Sequence, residues 1–483
     1  MEAQEISLFL LLVLSSLVFL PIVIRLGGGR HIDVFEPVYP LAGFYFLLFV
    51  IQPLILIATR SDLASETAFW LTLLYSAVGL IAFYAGYYSR LGWGIAGQIP
   101  TPSETYSVRR VSAVVLLFTC ISLGAMLGLG YRVSREASIS WAFANPLQFN
   151  NRFLKAGSGY HVLGISLLQA GFFLLDAFSL RSRQLGLRLI ALLYLAGVLL
   201  VYMPLGARWL LLVTFVVPVV VRHYYLGRSV RLFHVLMLLP ALVVAFGWLG
   251  AYRATGSPLP QVGSLERFLV GTLSGDLLTP FDNFVHLVRA LNDDSVGLQY
   301  GRYYLYLLIA PIPTSLWPEK PIVSIEWAFT EAVFGTDPRY GPTRTMTIPG
   351  ELYFNFHLPG IIAGMFMWGV FWRTMYAWVL KNHRNLGVVL VYACTLATGF
   401  NSLRTSLQTF ILSTSAGVVP IALASWYIAG GRLGRSPRGI APIHRTRFPW
   451  TPDNRGGRHG RRGDSGGYSA TSAGEPVVRS QEG

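Results

Sequence analysis

The sequence predicts an all-α polytopic membrane protein with about 11 transmembrane helices (a range of about 10 to 13). Of its 483 residues, 53% are hydrophobic and only 13% are charged, and the mean hydropathy is +0.52. Apolar runs of about 20 residues, enough to cross the hydrocarbon core as a helix, recur from end to end. Unpaired backbone groups are costly in lipid, so each run is expected to be helical. The two cysteines lie in apolar runs and favour neither a disulfide framework nor a metal cluster.

The apolar runs place the spans in chain order, with boundaries accurate to about 2–4 residues. Residues 6–24 lack a basic leader and a small-residue cleavage site, so they are expected to be a retained first span. Residues 303–317 are expected to form a short interfacial or re-entrant element, because Pro311 and Pro313 interrupt the run. The predicted spans are 6–24, 39–58, 68–88, 111–130, 162–180, 189–205, 207–221, 232–250, 358–379, 386–403 and 407–429.

Basic residues fall in alternate loops, and the positive-inside rule then orients the chain. The N-terminus is expected outside and the C-terminus in the cytoplasm, with residues 1–430 forming the membrane domain. Two long loops, 131–161 and 251–357, then face the extracytoplasmic side. The arginines and lysine that define the cytoplasmic side are Arg25, Arg30, Arg90, Arg109, Arg110, Arg181, Arg183, Arg188, Arg222, Arg228, Arg231, Lys381 and Arg384.

The C-terminal tail, residues 431–483, is rich in glycine and arginine and has no apolar period. It holds ten arginines against four acidic residues, which gives +6 of the chain's net charge of +15. This composition predicts a disordered cytoplasmic tail, with contact to anionic headgroups as an alternative. No aromatic stacking platform accompanies the arginines, so no nucleic-acid partner is expected.

Arginines in the outer loops are not needed for topology and suggest an anion-binding site. Guanidinium groups bind phosphate in bidentate fashion and keep their charge in a partly dry site. Arg208, Arg253 and Arg404 adjoin spans at the outer side, while Arg339 and Arg344 lie in the long loop. The alternatives are pairing with neighbouring acids for loop arginines, and snorkelling to the interface for those beside spans.

The segment "TIPGELYFNFHLPG" offers the polar side chains of a site directly before a span. In a helix, Glu351 and Asn355 share one face, and Tyr353 and His357 share the next. A carboxylate here would act as a general base or orient an acceptor hydroxyl, with an arginine such as Arg344 nearby. The alternatives are a structural ion pair for Glu351 and an ordinary interfacial histidine.

Motifs for nucleotide and metal chemistry are missing from the sequence. There is no Walker A sequence, no H-E-x-x-H and no G-x-S-x-G. The loops between spans also leave no room for a cytosolic nucleotide-binding domain. These features argue against an ATPase and against use of cytosolic nucleotide sugars, and they predict neither a cofactor nor a metal.

Three sequence segments together resemble the Wzy-type polymerases, which polymerise oligosaccharide repeat units of bacterial surface polysaccharides. They are "GARWLLL" after a span, "PIPTSLWPEKP" in the long loop, and "GELYFNFHLPGIIAGMF" leading into the next span. The resemblance covers the chain except the tail. It departs from the family where His357-Leu358-Pro359 stands in place of a glycine-bearing turn.

The resemblance implies a GT-C-like helical core with a large extracytoplasmic loop, in the bacterial cytoplasmic (inner) membrane. The implied activity is a metal-independent, lipid-carrier-dependent glycosyl transfer that joins undecaprenyl-diphosphate-linked oligosaccharide units at the outer leaflet. Membrane lipids, a chain-length regulator and a flippase are the implied partners. O-antigen, capsule and exopolysaccharide are equally open as products. The implied catalytic residues are Glu351, Arg344 and Arg208, and the implied substrate-binding residues are Arg253, Arg404, Asn355, Tyr353, His357 and Arg339.

Three other activities compete with this hypothesis. A flippase or transporter of lipid-linked oligosaccharide is expected to show pseudo-repeated halves, and the sequence shows no internal repeat. An O-antigen ligase-type glycosyltransferase has similar architecture but uses a lipid A core as acceptor. A membrane O-acyltransferase needs an intramembrane histidine, whereas most of the nine histidines lie outside the predicted spans.

Overall fold

Helices make up almost all of the regular structure that the computed structural model describes. The predicted span 232–250 lies mostly outside the described residues, and so do residues 435–483 of the tail. The described residues are 3–29, 32–104, 106–149, 152–153, 159–182, 184–202, 208–228, 230, 233–234, 237, 244–245, 247–250, 252, 278–313, 316–321, 324–338, 343–431 and 433–434.

The described residues form seventeen α-helices and two short strands. A π-helical turn, Leu47–Ile51, joins α2 and α3 and precedes Pro53, and Asp62–Ser65 is a 3₁₀ turn. The helices are α1 (Ala3–Gly27), α2 (Val38–Phe46), α3 (Gln52–Ala58), α4 (Thr67–Tyr88), α5 (Leu91–Ala96), α6 (Val108–Ser134), α7 (Ile139–Ala144), α8 (Pro146–Phe149), α9 (Gly159–Ser182), α10 (Leu185–Tyr202), α11 (Arg208–Tyr225), α12 (Thr279–Asn292), α13 (Arg302–Tyr306), α14 (Ile325–Phe334), α15 (Ile348–Lys381), α16 (Leu386–Ser402) and α17 (Leu407–Ile428). Two short strands, β1 (Thr101–Pro102) and β2 (Leu433–Gly434), pair antiparallel.

Eight helical stretches among the described residues are long and apolar enough to cross a bilayer. They confirm the prediction of a multi-pass, all-α membrane protein. Two further apolar helices, Trp209–Tyr225 and Leu386–Gly399, are shorter and coincide with predicted spans 207–221 and 386–403. The eight stretches are Gln4–Gly27, Val38–Ala58, Thr67–Tyr88, Val108–Ser134, Gly159–Ser182, Leu185–Tyr202, Ile348–Lys381 and Leu407–Ile428.

Glycines allow a close approach of the α4 and α15 backbones. A Cβ on Gly86 would overlap the carbonyl oxygen of Phe366, and one on Gly369 would overlap that of Phe83. Hydrophobic burial does not drive helices together within lipid, so close backbone packing of this kind is a main source of association. The α4–α15 pair thereby fixes the part of α15 that contains Phe366 and Gly369.

The α15 helix is interrupted after its second turn, directly before the predicted span that begins at residue 358. Phe356 (φ −140°, ψ 17°) and His357 (φ 58°, ψ −152°) leave helical geometry. A Cβ on Gly364 would overlap the side chain of Leu352. Twelve residues of straight helix would separate these positions by about 18 Å. Residues 348–355 are therefore a separate short segment, turned back against the start of the span.

The basic loops predicted to share one side do meet at one end of the bundle. The end of α1 contacts the loop before α2, where Arg25 Nη1 lies 3.6 Å from Glu36 Oε2. Arg181 at the end of α9 donates to the carbonyl of Glu104 at 3.1 Å. Glu351 and the described part of the long loop lie at the opposite end, with the starts of α9, α15 and α17.

Candidate functional site

The Glu351 carboxylate is completely buried at the beginning of α17. Thr347 caps the segment that carries it, accepting a hydrogen bond from Gly350 N at 3.1 Å. The carboxylate accepts hydrogen bonds from the backbone N–H groups of Leu407 and Gln408, the latter at 3.3 Å. These are the first N–H groups of α17, where unsatisfied donors and the helix dipole favour an anion. Glu351 therefore caps a helix that follows it by more than fifty residues.

A second carboxylate, Glu326 on α14, approaches the same helix terminus. Its Oε1 accepts a hydrogen bond from Ser406 N at 3.1 Å. Burial raises the pKa of Glu326, while the Ser406 N–H and the nearby Arg404 guanidinium act in the opposite direction. The two carboxylates and Arg404, from three separate segments, form what we call the carboxylate cluster.

The strap, defined as residues 301–313 and 316–317, covers the carboxylate cluster on one side. Gln408 Nε2 donates to the carbonyl of Tyr303 at 2.8 Å, and Gln408 Oε1 accepts from Ile325 N at 2.8 Å. The buried Tyr304 hydroxyl lies beside the Glu351 carboxylate without a hydrogen bond of ordinary geometry. Burial raises the pKa of Tyr304, and the adjacent carboxylate raises it further. The strap thus shields Glu351 from solvent.

Asn355 locks the strap to the end of the short helical segment. Its Oδ1 accepts from Gly301 N at 2.9 Å, and its Nδ2 donates to the carbonyl of Glu351 at 2.9 Å. The backbone carbonyls of Phe354 and Asn355, which the helix break releases, accept from Gln299 N and Tyr300 N at 3.0 and 3.1 Å. These contacts use both the oxygen and the nitrogen of the Asn355 amide.

His357 occupies a backbone conformation that normally belongs to glycine. Its φ of 58° with ψ of −152° costs about 1–3 kcal/mol for a residue with a Cβ. Its exposed imidazole compensates in part, since Nε2 lies 2.9 Å from the Tyr353 hydroxyl and the rings are 4.4 Å apart. A histidine therefore stands at a turn for which the resemblance implies glycine, and the turn is formed nonetheless.

Arg344 lies apart from Glu351, in a separate group of cations. The Arg344 guanidinium is 5.2 Å from the centroid of the Phe334 ring. The backbone N–H of Arg344 donates to Thr330 Oγ1 at 2.9 Å. Burial lowers the pKa of His286, and the positive charges of Arg289 and Arg344 lower it further, against the opposing effect of a nearby glutamate. Among the described residues no carboxylate pairs with Arg344.

The remaining predicted arginines are only partly described. Arg404, half-buried between α16 and α17, belongs to the carboxylate cluster. Arg208 begins α11, but its side chain lies outside the described part of the structure. Arg253 and Arg339 lie outside the described residues altogether. The structure therefore gathers Glu351, Asn355 and Arg404 at the carboxylate cluster and pairs Tyr353 with His357. It gives Arg344 no described contact with Glu351.

Three residues of the site were not predicted from the sequence. Glu326 belongs to the carboxylate cluster, while the Tyr304 hydroxyl and the Gln408 backbone N–H lie against the Glu351 carboxylate. Gln408 carried a usable signal, because it is a polar residue at the start of an apolar span. Within the described residues, no group of three histidines, cysteines or acids is arranged to hold a metal ion.

A second buried polar network lies at the opposite end of the bundle. Asp33 accepts hydrogen bonds from the hydroxyls of Tyr224 and Tyr376 at 2.8 and 3.0 Å and lies 3.2 Å from His223 Nε2. Glu36 lies 3.4 Å from Arg373 Nη1, and burial raises the pKa of that carboxyl against the effect of its arginine neighbours. Arg373, a charged residue inside an apolar run, was the sequence signal for this network.

No family model, curated protein or solved structure matches the chain. The proposed function is therefore based on the geometry of the site.

Proposed function

We propose that this protein is a lipid-carrier-dependent glycosyltransferase that polymerises undecaprenyl-diphosphate-linked oligosaccharide units at the outer leaflet of a bacterial cytoplasmic membrane. The observation that carries the proposal is the carboxylate cluster. Two buried carboxyls and the Arg404 guanidinium meet at the end of a membrane bundle opposite its basic loops. A substrate with a lipid tail and an anionic head reaches such a site from the membrane.

The chemistry suits a reaction that releases a diphosphate. The acceptor sugar hydroxyl attacks the anomeric carbon of the growing chain, the bond from that carbon to the carrier diphosphate breaks, and the hydroxyl proton passes to a base. Arginine side chains stabilise the charge that develops on the leaving diphosphate. Arg404 and Arg344 are our described candidates for this role, and Glu351 is the candidate base. For Glu351 to act, the strap must move, because the closed carboxylate has no path to solvent.

Polysaccharide length in cells tests the proposal. In a strain lacking the chromosomal copy, Arg404→Gln and Arg344→Gln are expected to abolish long chains but leave single capped units and normal protein levels. Loss of one charge-stabilising donor costs about 10²–10³ in rate. Arg152→Gln is the matched control, since Arg152 forms an exposed pair with Glu136, with nitrogen and oxygen 3.1 Å apart. Wild-type chain lengths in both test variants would overturn the assignment.

A transporter of lipid-linked oligosaccharide is the second candidate, and the network around Asp33 favours it. Buried ionisable residues near the ends of spans often mark proton or substrate pathways. Asp33, Glu36, His223 and Arg373 are placed to take part in one. Movement of a lipid-linked unit across a vesicle membrane without chain growth would indicate this activity. The O-antigen ligase-type alternative shares the site and differs only in its acceptor.

A further inference from the structure

The strap exposes a row of large apolar side chains although it lies outside the spans. Leu305, Leu308 and Leu316 are 67%, 79% and 78% exposed. Ile312 and Trp317 are 37% and 40% exposed and continue the same row. Apolar positions three and four residues apart are typical of one face of a helical element. In water, a row of this kind would be an unusual liability.

The backbone of the strap is satisfied without water at the point where its helical turns end. After α13, the chain continues through hydrogen bonds such as Leu308 N to Leu305 O at 3.1 Å. Lys320 Nζ then donates to the carbonyls of Ala310 and Ile312 at 3.0 and 2.8 Å. The Tyr160 hydroxyl donates to the carbonyl between them, that of Pro311.

Three consecutive carbonyls therefore receive hydrogen bonds from side chains outside the helical turns. Pro311 and Pro313 contribute no N–H groups that would need acceptors. Exposure to lipid demands this kind of internal satisfaction, whereas a loop in water has no need of it. The strap is thus built for an environment that offers few hydrogen bonds.

The strap is also continuous with the surface of the spans. It touches the starts of three membrane-crossing helices, through Tyr160 on α9, Asn355 on α15 and Gln408 on α17. Those helices expose apolar side chains close to their starts, including Ile362 and Leu412 at 47% and 41%. Trp317 has the amphipathic ring that is enriched at headgroup level.

We propose that the strap is a membrane-surface element, with Leu305, Leu308, Leu316 and Trp317 inserted at the boundary between headgroups and acyl chains. Its outer face binds lipid, and its inner face, the Tyr303 carbonyl and the Tyr304 ring, covers Glu351. The bilayer thereby holds the strap over the carboxylate cluster. The proposal rests on membrane architecture and not on the reaction proposed above, so the two fail separately.

Spin-label accessibility in lipid nanodiscs tests the lipid contact. In a background with Cys120→Ser and Cys394→Ala, a nitroxide is attached at Leu308→Cys of the full chain. Collisions with oxygen and with a water-soluble nickel complex are measured. Leu127→Cys, at a position 75% exposed on α6, is the lipid reference, and Asp293→Cys is the water reference. The label at position 308 is expected to match the lipid reference, with high oxygen and low nickel accessibility.

Two results would overturn the proposal. Nickel accessibility equal to that at position 293 would place the strap in water. Low accessibility to both reagents would mean that protein, such as a second copy of the chain, covers the row. Hydrogen exchange tests the coupling to Glu351: Leu305→Asn with Leu308→Asn should speed exchange at least tenfold at Gly301 and Leu407. Unchanged exchange at both amides would separate the strap's lipid face from the carboxylate cluster.

Discussion

Replacing Glu351 separates a structural role from a catalytic one, because the two roles predict opposite outcomes for the same variant. The carboxylate is fully buried and accepts the backbone N–H groups of Leu407 and Gln408. Glu351→Ala leaves both donors without acceptors, at a cost of about 1–3 kcal/mol each, or about 2–6 kcal/mol together. Glu351→Gln retains one acceptor oxygen of similar shape and loses the charge at the helix terminus, which costs about 0.5–2 kcal/mol.

Thermal unfolding in detergent at a fixed scan rate measures the loss of stability caused by removing the helix cap. We expect Glu351→Ala to lower the apparent Tm strongly and Glu351→Gln to lower it slightly. Glu326→Gln is the matched control at the same helix terminus. Burial raises the folded-state pKa of Glu326 above its unfolded value of about 4.5, so ionisation in the unfolded state erodes wild-type stability as pH rises. The control variant should therefore gain stability relative to wild type above that pH.

The rate of chain growth with purified protein tests the catalytic role of Glu351. If Glu351 is the base, Glu351→Gln should fold and yet slow elongation by about 10²–10⁴. Elongation within about twofold of wild type would refute the catalytic role and leave the helix cap as its whole function. A Glu351→Ala protein as stable as wild type would refute the capping argument itself.

Three further perturbations test the fold around the site. His357→Gly should be more stable than His357→Ala by about 1–3 kcal/mol in chemical or thermal unfolding, since both lack the imidazole and only glycine accepts the positive φ; equal stability would contradict the strained turn. Burial raises the pKa of Asp282 from 3.8 to about 6, so the stability of Asp282→Asn relative to wild type should increase between about pH 4 and pH 6. A difference in Tm that does not change with pH would contradict the raised pKa. Gly86→Ala should destabilise the protein by about 1–3 kcal/mol, because the added Cβ overlaps the Phe366 carbonyl. Gly124→Ala is the control and should be neutral, because a Cβ at that position meets no atom within 4 Å. Similar Tm values for the two variants would contradict the α4–α15 contact.

Hydropathy and charge were sufficient to predict a multi-pass, all-α membrane protein and the described loops that share an end. Both signals are local, and the bilayer imposes them on every span. The polar segment at the start of α15 was also recognisable, because Glu351 and Asn355 interrupt apolar sequence at helical spacing. The hydrogen-bond partners of the site residues were not predictable, because they come from distant segments of the chain. Gly301 bonds to Asn355 across 54 residues, and Ser406 bonds to Glu326 across 80.

The direction of the chain after the break in α15 was hidden for a different reason. Pro359 and the turn that the resemblance implies at His357 point to an interruption, but neither shows which way the chain continues. The backbone angles of Phe356 and His357 and the contact of Leu352 with Gly364 show that the chain turns back. The association of Glu351 with Arg344 was expected from their closeness in sequence. Glu351 instead lies at the start of α17, close to Glu326.

Reconstitution of the purified protein with undecaprenyl-diphosphate-linked repeat units tests the central claim most directly. In proteoliposomes with a chelator and without nucleotide sugars, we predict a ladder of products that grows by one repeat unit per step, with release of undecaprenyl diphosphate. Units that stay single, whether or not they cross the membrane, would contradict the claim that this protein joins them.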